Sequence, residues 1–78
     1  MSKSSFNKTE FENLLKKAKY QFILKSDSCI YFINPSKEVV HTETSFVAHN
    51  ETKNCIDVVD YKDIKLVVCD GQKYFFDQ

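Results

Sequence analysis

Five side chains of this sequence are of the types that ligate soft metal ions. They are Cys29, His41, His49, Cys55 and Cys69. Structural zinc sites place their ligands in pairs about two to five residues apart, and no two cysteines or histidines here are that close. Each cysteine lies in an apolar stretch, where a free thiol behaves as a small buried hydrophobic group. The spacing therefore predicts core thiols, with no bound metal and no cofactor.

Catalytic groups are equally sparse. A nucleophilic cysteine needs an electropositive or helix-terminal setting that lowers its pKa, and no cysteine lies at the start of a predicted helix. Asp57, Asp60 and Asp63 could form a carboxylate cluster, but their spacing around a turn beside Lys62 and Lys65 is typical of a solvated surface. A phosphate-binding loop needs several glycines, and the chain has one. We therefore predict that the protein is not an enzyme.

Aromatic residues on predicted strands could stack nucleic-acid bases, as RNA-binding sheets do. That use needs positive charge around the rings. Residues 1–26 hold six Lys against two Glu, whereas residues 27–78 hold five Lys against nine carboxylates. All eleven cations are Lys, although Arg is the residue that best reads guanine edges and clamps phosphate. Composition thus disfavours a nucleic-acid partner, which remains an alternative.

The elements that position these side chains begin with a helix. Asn7 and Glu10 form an approximate capping box, and from Phe11 onward the apolar residues recur at a spacing of three and four, which places them on one stripe of a helix. Residues 1–5 read as a polar tail. We predict an amphipathic N-terminal helix within residues 6–20.

From residue 21 onward the apolar period changes to two, and β-branched and aromatic residues dominate, as in strands. The predicted strands cover residues 21–25, 29–33, 38–48, 55–59, 64–69 and 72–76. The first range could instead continue the helix, and the short links favour antiparallel neighbours. We predict one α+β domain over residues 1–78, in which the helix precedes an antiparallel β-meander of about five strands within residues 21–78.

The last two predicted strands form a hairpin that is apolar on both faces. The Asp70-Gly71 pair is the signal of a two-residue type I′ turn, which sets Val67 opposite Tyr74. One face then carries Ile64, Leu66, Val68 and Phe75, and the other carries Val67, Cys69, Tyr74 and Phe76. Residues 29–33 are also apolar on both sides. One helix covers one face, so either the sheet curls into a half-barrel or another molecule covers the second face.

We expect the uncovered face to bind another protein. The residues predicted to contact that partner are Tyr31, Tyr74 and Phe76 on the face, and Asp60, Tyr61 and Asp63 in the turn before the fifth range. For Tyr61 the alternative is a ring that folds back onto the sheet. A second copy of the chain is the alternative partner, which would make the protein a regulatory or housekeeping homodimer.

The cellular setting follows from the termini and the composition. The N-terminal residues lack the apolar core of a secretory signal, and the longest apolar run, residues 29–33, is too short for a membrane span. Widely spaced cysteines in odd number are typical of a reducing cytoplasm. Residues with AT-rich codons (Phe, Tyr, Met, Ile, Asn and Lys) number 33, whereas Gly, Ala, Arg and Pro together number four. A small chain of this kind without a catalytic site suggests a phage or mobile-element inhibitor of a host protein, such as a defence nuclease.

Overall fold

The structure is a computed structural model that describes residues 5–76. In chain order its elements are α1 (Lys8–Lys17), β1 (Phe22–Lys25), β2 (Ile30–Ile33), β3 (Ser45–Asn50), β4 (Cys55–Asp60), a short 3-10 helix (Tyr61–Asp63), β5 (Leu66–Cys69) and β6 (Gln72–Phe75). The predicted α+β fold is confirmed, with one helix followed by a six-stranded antiparallel sheet. Residues 1–4 of the predicted tail, and residues 77–78, lie outside the described residues.

The start of α1 is built as its sequence predicts. The Asn7 side chain accepts a hydrogen bond of 2.9 Å from the Glu10 backbone N–H, which satisfies one of the N–H groups that the first turn leaves without a carbonyl partner. Phe6 and Phe11 are both buried, and their ring centroids lie 6.2 Å apart. The capping bond and the aromatic contact together fix the direction in which the chain enters the helix.

The helix ends at Lys17, earlier than the predicted residue 20. Ala18 is extended, with ψ of 126°, so the helical hydrogen-bond pattern stops there. The next backbone N–H groups, those of residues 19–21, donate instead to the carboxylate of Asp70 at 2.8 to 2.9 Å. A tertiary acceptor from the closing hairpin therefore replaces the intrahelical carbonyls that these donors would need in a longer helix.

The sheet order is β4-β3-β2-β1-β5-β6. Strands β1 to β4 form a meander, but β5 pairs with β1 and not with β4, its neighbour in sequence. This differs from the sequence-based expectation that each short link joins adjacent strands. The pairing buries Phe22 and Leu24 of β1 beside Val67 of β5, all three with no exposed surface. The sheet is open and is not closed into a barrel.

The third strand is shorter than the predicted range of 38–48. Strand β3 begins at Ser45, and the preceding segment touches it through a single bridge between His41 and Phe46. The Thr42 side chain interrupts the strand, because its hydroxyl accepts the N–H groups of Thr44 and Ser45 at 3.3 and 3.1 Å. Such side-chain bonds to nearby backbone favour a turn over a continuous ladder.

The closing hairpin matches its predicted register. Val67 pairs with Tyr74, and Cys69 pairs with Gln72. Asp70 and Gly71 have φ of 51° and 89°, which is the left-handed region that both central positions of a type I′ turn require. The two-residue turn therefore sets which side chains of β5 and β6 share a face.

Candidate functional site

The two faces of the sheet differ in what covers them. Phe11 and Leu14 of α1 are buried in the same core as Tyr31, Val67 and the other inward-facing residues of the strands. We call the opposite side the outer face. Its apolar residues, which alternate with the core residues along each strand, are Ile23, Ile30, Phe32, Val40, Val47, Ile56, Val58, Leu66, Val68 and Phe75.

The strand register brings these side chains into continuous rows. One row of cross-strand partners, from β4 to β6, is Ile56, His49, Phe32, Ile23, Val68 and Lys73. The next row along the strands is Ile30, Lys25, Leu66 and Phe75. Because directly opposite side chains on one face lie about 5 Å apart, the apolar groups form one contiguous patch.

The patch is large for a chain of this size. Six strands at a spacing of about 4.8 Å make the first row roughly 24 Å wide, and the two rows, with Val58, Val47 and Val40 beside them, give a projected area on the order of 400 Å², including the charged side chains among them. Ile56 and Val58 are 69% and 67% exposed. A groove of about 360 Å³ runs across the patch beside Phe32, Val40 and Val47. Contiguous apolar patches of this size on monomers are often binding sites.

Charged side chains lie at one end of the first row and within the second. Lys73 ends the first row on β6, and Lys25 lies in the second row. At the β4 side His49 contacts the carboxylate of Glu51 through its Nδ1 atom. An apolar centre bordered by charged groups is the usual anatomy of a protein–protein contact surface.

Two of the predicted partner-binding residues belong to the core. Tyr31 is 7% exposed and Tyr61 is 2% exposed, and the Tyr61 ring lies 5.3 Å from that of Phe11 and 5.5 Å from that of Phe46, centroid to centroid. The alternative for Tyr61, a ring folded back onto the sheet, is therefore the one observed. The face around Tyr31 is the one that α1 covers, so the prediction that it is the uncovered face was wrong.

The remaining candidates lie in three separate places. Tyr74 and Phe76 are partly buried against the core and line a groove of about 750 Å³ between α1 and β6. Asp60 is exposed at the end of β4 and lines a groove of about 310 Å³. Asp63 lines a third groove of about 270 Å³, beside Tyr31. The six residues thus do not converge on one site.

The buried Tyr61 hydroxyl links stability to alkaline pH. It donates a 2.8 Å hydrogen bond to the Thr42 carbonyl, and burial raises the pKa of Tyr61 to about 12. In the unfolded chain this phenol ionises near pH 10, so the unfolded state loses the proton first. We expect the free energy of unfolding to fall as the pH rises from about 10 to about 12.

Chemical denaturation at a series of alkaline pH values measures this loss, and Tyr61→Phe is the matched control. That variant lacks the ionising group, so its stability declines less over the same interval. At neutral pH it is about 1 kcal/mol less stable, because the hydrogen bond to Thr42 is absent. An equal alkaline decline in both proteins would contradict the assignment.

The three cysteines occupy different environments. Cys29 and Cys69 are buried as expected, but Cys55 is exposed at the start of β4, so the prediction of a core thiol was wrong for that residue. Hydrogen bonding, first from Asn50 and then from Ser28, lowers the pKa of Cys29, whereas burial raises the pKa of Cys69. An amide and a hydroxyl are not general bases, so the contacts of Cys29 do not form a nucleophile–base pair.

The ligand-type side chains do not gather. Within residues 5–76, no group of three or more His, Cys, Asp and Glu side chains is placed to hold a metal ion. His41 instead contacts Glu12 of α1 at 3.1 Å, which ties the segment before β3 to the helix. In the same range, no helix is long and apolar enough to cross a membrane.

The residues that sequence reasoning missed are the outer-face side chains of β2 and β4, above all Phe32, Ile56 and Val58. Alternation of Ile56, Asp57 and Val58 was a detectable signal, since a polar residue between two apolar ones separates the two sides of a strand.

Comparison of the chain with protein-family models, with curated proteins and with solved structures finds no match.

Proposed function

We propose that the chain is a small, non-enzymatic, cytoplasmic module that binds another protein through the outer face of its sheet. One observation carries the proposal: the contiguous apolar patch centred on Phe32 and Ile23, which α1 leaves uncovered. Exposing such a patch costs free energy on the order of 25 cal/mol per Å² relative to burying it. A partner that covers it recovers that free energy, so the patch itself is the driving force for association.

The composition of the patch favours a protein partner over nucleic acid. Its aromatic members are Phe32 on β2 and Phe75 on β6. Because β1 and β5 lie between those strands, the two strands are about 14 Å apart, too far for the two rings to stack on neighbouring bases. Apart from Lys25, the side chains between them are aliphatic, and aliphatic groups pack against protein surfaces but do not stack with bases.

The phage or mobile-element inhibitor suggested by size and composition is a specific form of this proposal. The partner is then a host protein, such as a defence nuclease, and docking of the outer face blocks it stoichiometrically. Binding to a protein partner does not depend on that partner's activity, so it can be tested before the partner is identified.

We test the proposal with Phe32→Glu, which places a charge at the centre of the patch. The wild-type protein, immobilised in a lysate of its source or host cell, is expected to retain a partner at near-equal stoichiometry, and Phe32→Glu is expected to lose it at least about tenfold. Asn13→Glu is the matched control, because it adds the same charge at an exposed position on α1.

Phe32 points away from the core, so we expect Phe32→Glu to fold. Thermal unfolding of each variant checks this. Failure of the wild type to retain any protein would sink the proposal, as would equal retention by Phe32→Glu. Sedimentation of the purified protein separates the alternatives. A dimer abolished by Phe32→Glu identifies a second copy as the partner, and retention of nucleic acid with steep salt dependence favours that alternative.

A further inference from the structure

The second exposed feature adjoining the outer face is the free edge of β4. This strand ends the sheet on one side and pairs with β3 over its whole length, from Asn50–Cys55 to Ser45–Asp60, without a bulge. Edge strands expose unpaired backbone groups, and proteins usually protect them with Pro, Lys or bulges. β4 has no Pro, no Lys and no bulge, and its one inward-pointing charge is Asp57, so its backbone edge is accessible to a strand that accommodates that carboxylate.

The hydrogen-bond pattern identifies which backbone groups face outward. The Tyr61 N–H donates to the Thr44 carbonyl at 3.1 Å, so residues 44 and 61 are a hydrogen-bonded pair of the ladder. Because such pairs alternate in an antiparallel ladder, the backbone N–H and C=O groups of Ile56, Val58 and Asp60 point away from β3. The Val47 N–H donates to the Val40 carbonyl at 2.9 Å. It therefore points away from β4, as the same alternation requires.

The side chains of β4 indicate which residue types a neighbouring strand needs. Ile56 and Val58 lie on the outer face and are the most exposed aliphatic residues of the sheet strands. Between them, Asp57 points to the opposite face, is half-buried, and accepts the outward Val58 N–H at 3.0 Å through Oδ1. A neighbour with apolar side chains on the outer face and a cation opposite Asp57 would complement both faces.

The acidic charge of β4 argues against a second copy as that neighbour. Antiparallel pairing of β4 with itself sets Asp57 directly opposite its counterpart, or diagonal to it when the pairing centres on Val58, and like charges on adjacent strands are destabilising. An inward-pointing charge on an edge strand is a known device against indiscriminate pairing. A strand with a cation opposite Asp57 replaces that repulsion with an attraction, so the charge favours such a partner.

We propose that β4 binds an extended segment of another protein as an added strand, and that this segment alternates apolar residues with Lys or Arg. A carbonyl of the incoming segment accepts the Val58 N–H and releases Oδ1 of Asp57 to the cation, while Oδ2 keeps its 3.5 Å contact with Asn50 Nδ2. The added apolar side chains extend the outer face beyond Ile56. The inference builds on the proposed protein-binding function and names the chemistry of the partner.

The probe is a nine-residue peptide that alternates Val with Lys, capped at both ends, and its binding is measured by calorimetry. Two further peptides are controls: one replaces Lys with Glu, and one has the same composition in blocks of Val and Lys. We expect the alternating Lys peptide to bind at least about tenfold tighter than either control. Amide chemical shifts of residues 55–60 locate the contact.

Ile56→Pro tests the main-chain bonds. It removes one outward N–H while leaving the bonds to β3 intact, so peptide affinity is expected to fall about tenfold. Ile56→Thr is the matched control, because it keeps the N–H. Should Ile56→Pro fail to fold, a peptide N-methylated along one edge removes the same bonds without altering the protein.

Asp57→Asn tests the charge. It keeps an oxygen that can accept the Val58 N–H, and it is expected to abolish the preference for Lys over Glu peptides. Equal binding of those two peptides to the wild type would overturn the proposal, and so would full binding of the N-methylated peptide. A dimer abolished by Ile56→Pro would identify a second copy instead. If Phe32→Glu loses the partner but binds the peptide as tightly as the wild type, the β4 edge and the outer face are distinct binding sites.

Discussion

The Phe11→Ala variant is expected to lose about 4 kcal/mol of unfolding free energy and to be largely unfolded at physiological temperature. Phe11 has no exposed surface. Its ring lies 4.9 Å from Phe46, 5.3 Å from Tyr61 and 5.8 Å from Phe22, centroid to centroid. One residue thus connects α1 to β1, β3 and the 3-10 helix. Small domains have a net stability of about 5 to 15 kcal/mol, so few single losses are larger.

Thermal unfolding followed by circular dichroism measures the effect. For a domain of this size a loss of about 4 kcal/mol lowers Tm by roughly 15 to 30 °C. Phe75→Ala is the matched control, since it makes the same change at a side chain that is 55% exposed on the outer face. We expect a cost of about 1 kcal/mol or less there. Similar losses at the two positions would contradict the assignment of the core to the α1 side.

The local sequence does not predict which face of the sheet is buried. Alternation along each strand separates the side chains of Val67 and Tyr74 from those of Leu66 and Phe75, and the Asp70-Gly71 turn fixes their register. Both sets are apolar, so nothing local states which one the helix covers. The choice depends on the path of the chain from α1 into β1, which is a tertiary property.

The pairing of β5 with β1 is also a tertiary property, so the sequence did not predict it. Sequence adjacency and a short link favour β4 as the neighbour of β5, whereas the structure places β5 on the far side of β1. Burial of Phe22, Leu24 and Val67 in one core favours this arrangement, because two strands with inward Phe, Leu and Val side chains fit best in the middle of the sheet. The pairing leaves β4 as an edge, and hence leaves its backbone open.

The helix start shows the opposite case. Asn7 and Glu10 lie within one turn of each other, so the capping contact is readable from spacing alone. The helix end was not readable, because it depends on Asp70, which is distant in sequence. Local signals predicted the local features of this fold, and the candidate surface is defined by the long-range ones.

Removal of the Asp70 carboxylate is expected to give the second large loss of stability. It accepts the backbone N–H groups of Lys19, Tyr20 and Gln21 at 2.8 to 2.9 Å, and it thereby holds the link between α1 and β1 against the closing turn. Asp70→Gly removes all three acceptor bonds but keeps a residue suited to φ of 51°. We expect a lower urea midpoint than in the wild type, with a smaller decrease than for Phe11→Ala.

Acid pH should have the same effect as the substitution. The three backbone N–H groups, that of Lys19 first, lower the pKa of Asp70 below its ordinary value of 3.8. A depressed folded-state pKa stabilises the protein above the unfolded pKa, and this stabilisation is lost as the pH falls through the folded value. Stability should therefore decline below about pH 4 in the wild type.

Asp70→Asn is the control for this pH dependence. Its amide oxygen still accepts the N–H groups of Tyr20 and Gln21, while its side chain does not ionise, so its stability should be intermediate at neutral pH and its acid decline shallower. Identical acid profiles in the wild type and Asp70→Asn would show that other carboxylates dominate. A shallower profile would show that the ionised Asp70 carboxylate stabilises the fold, as expected from its bonds to the link between α1 and β1.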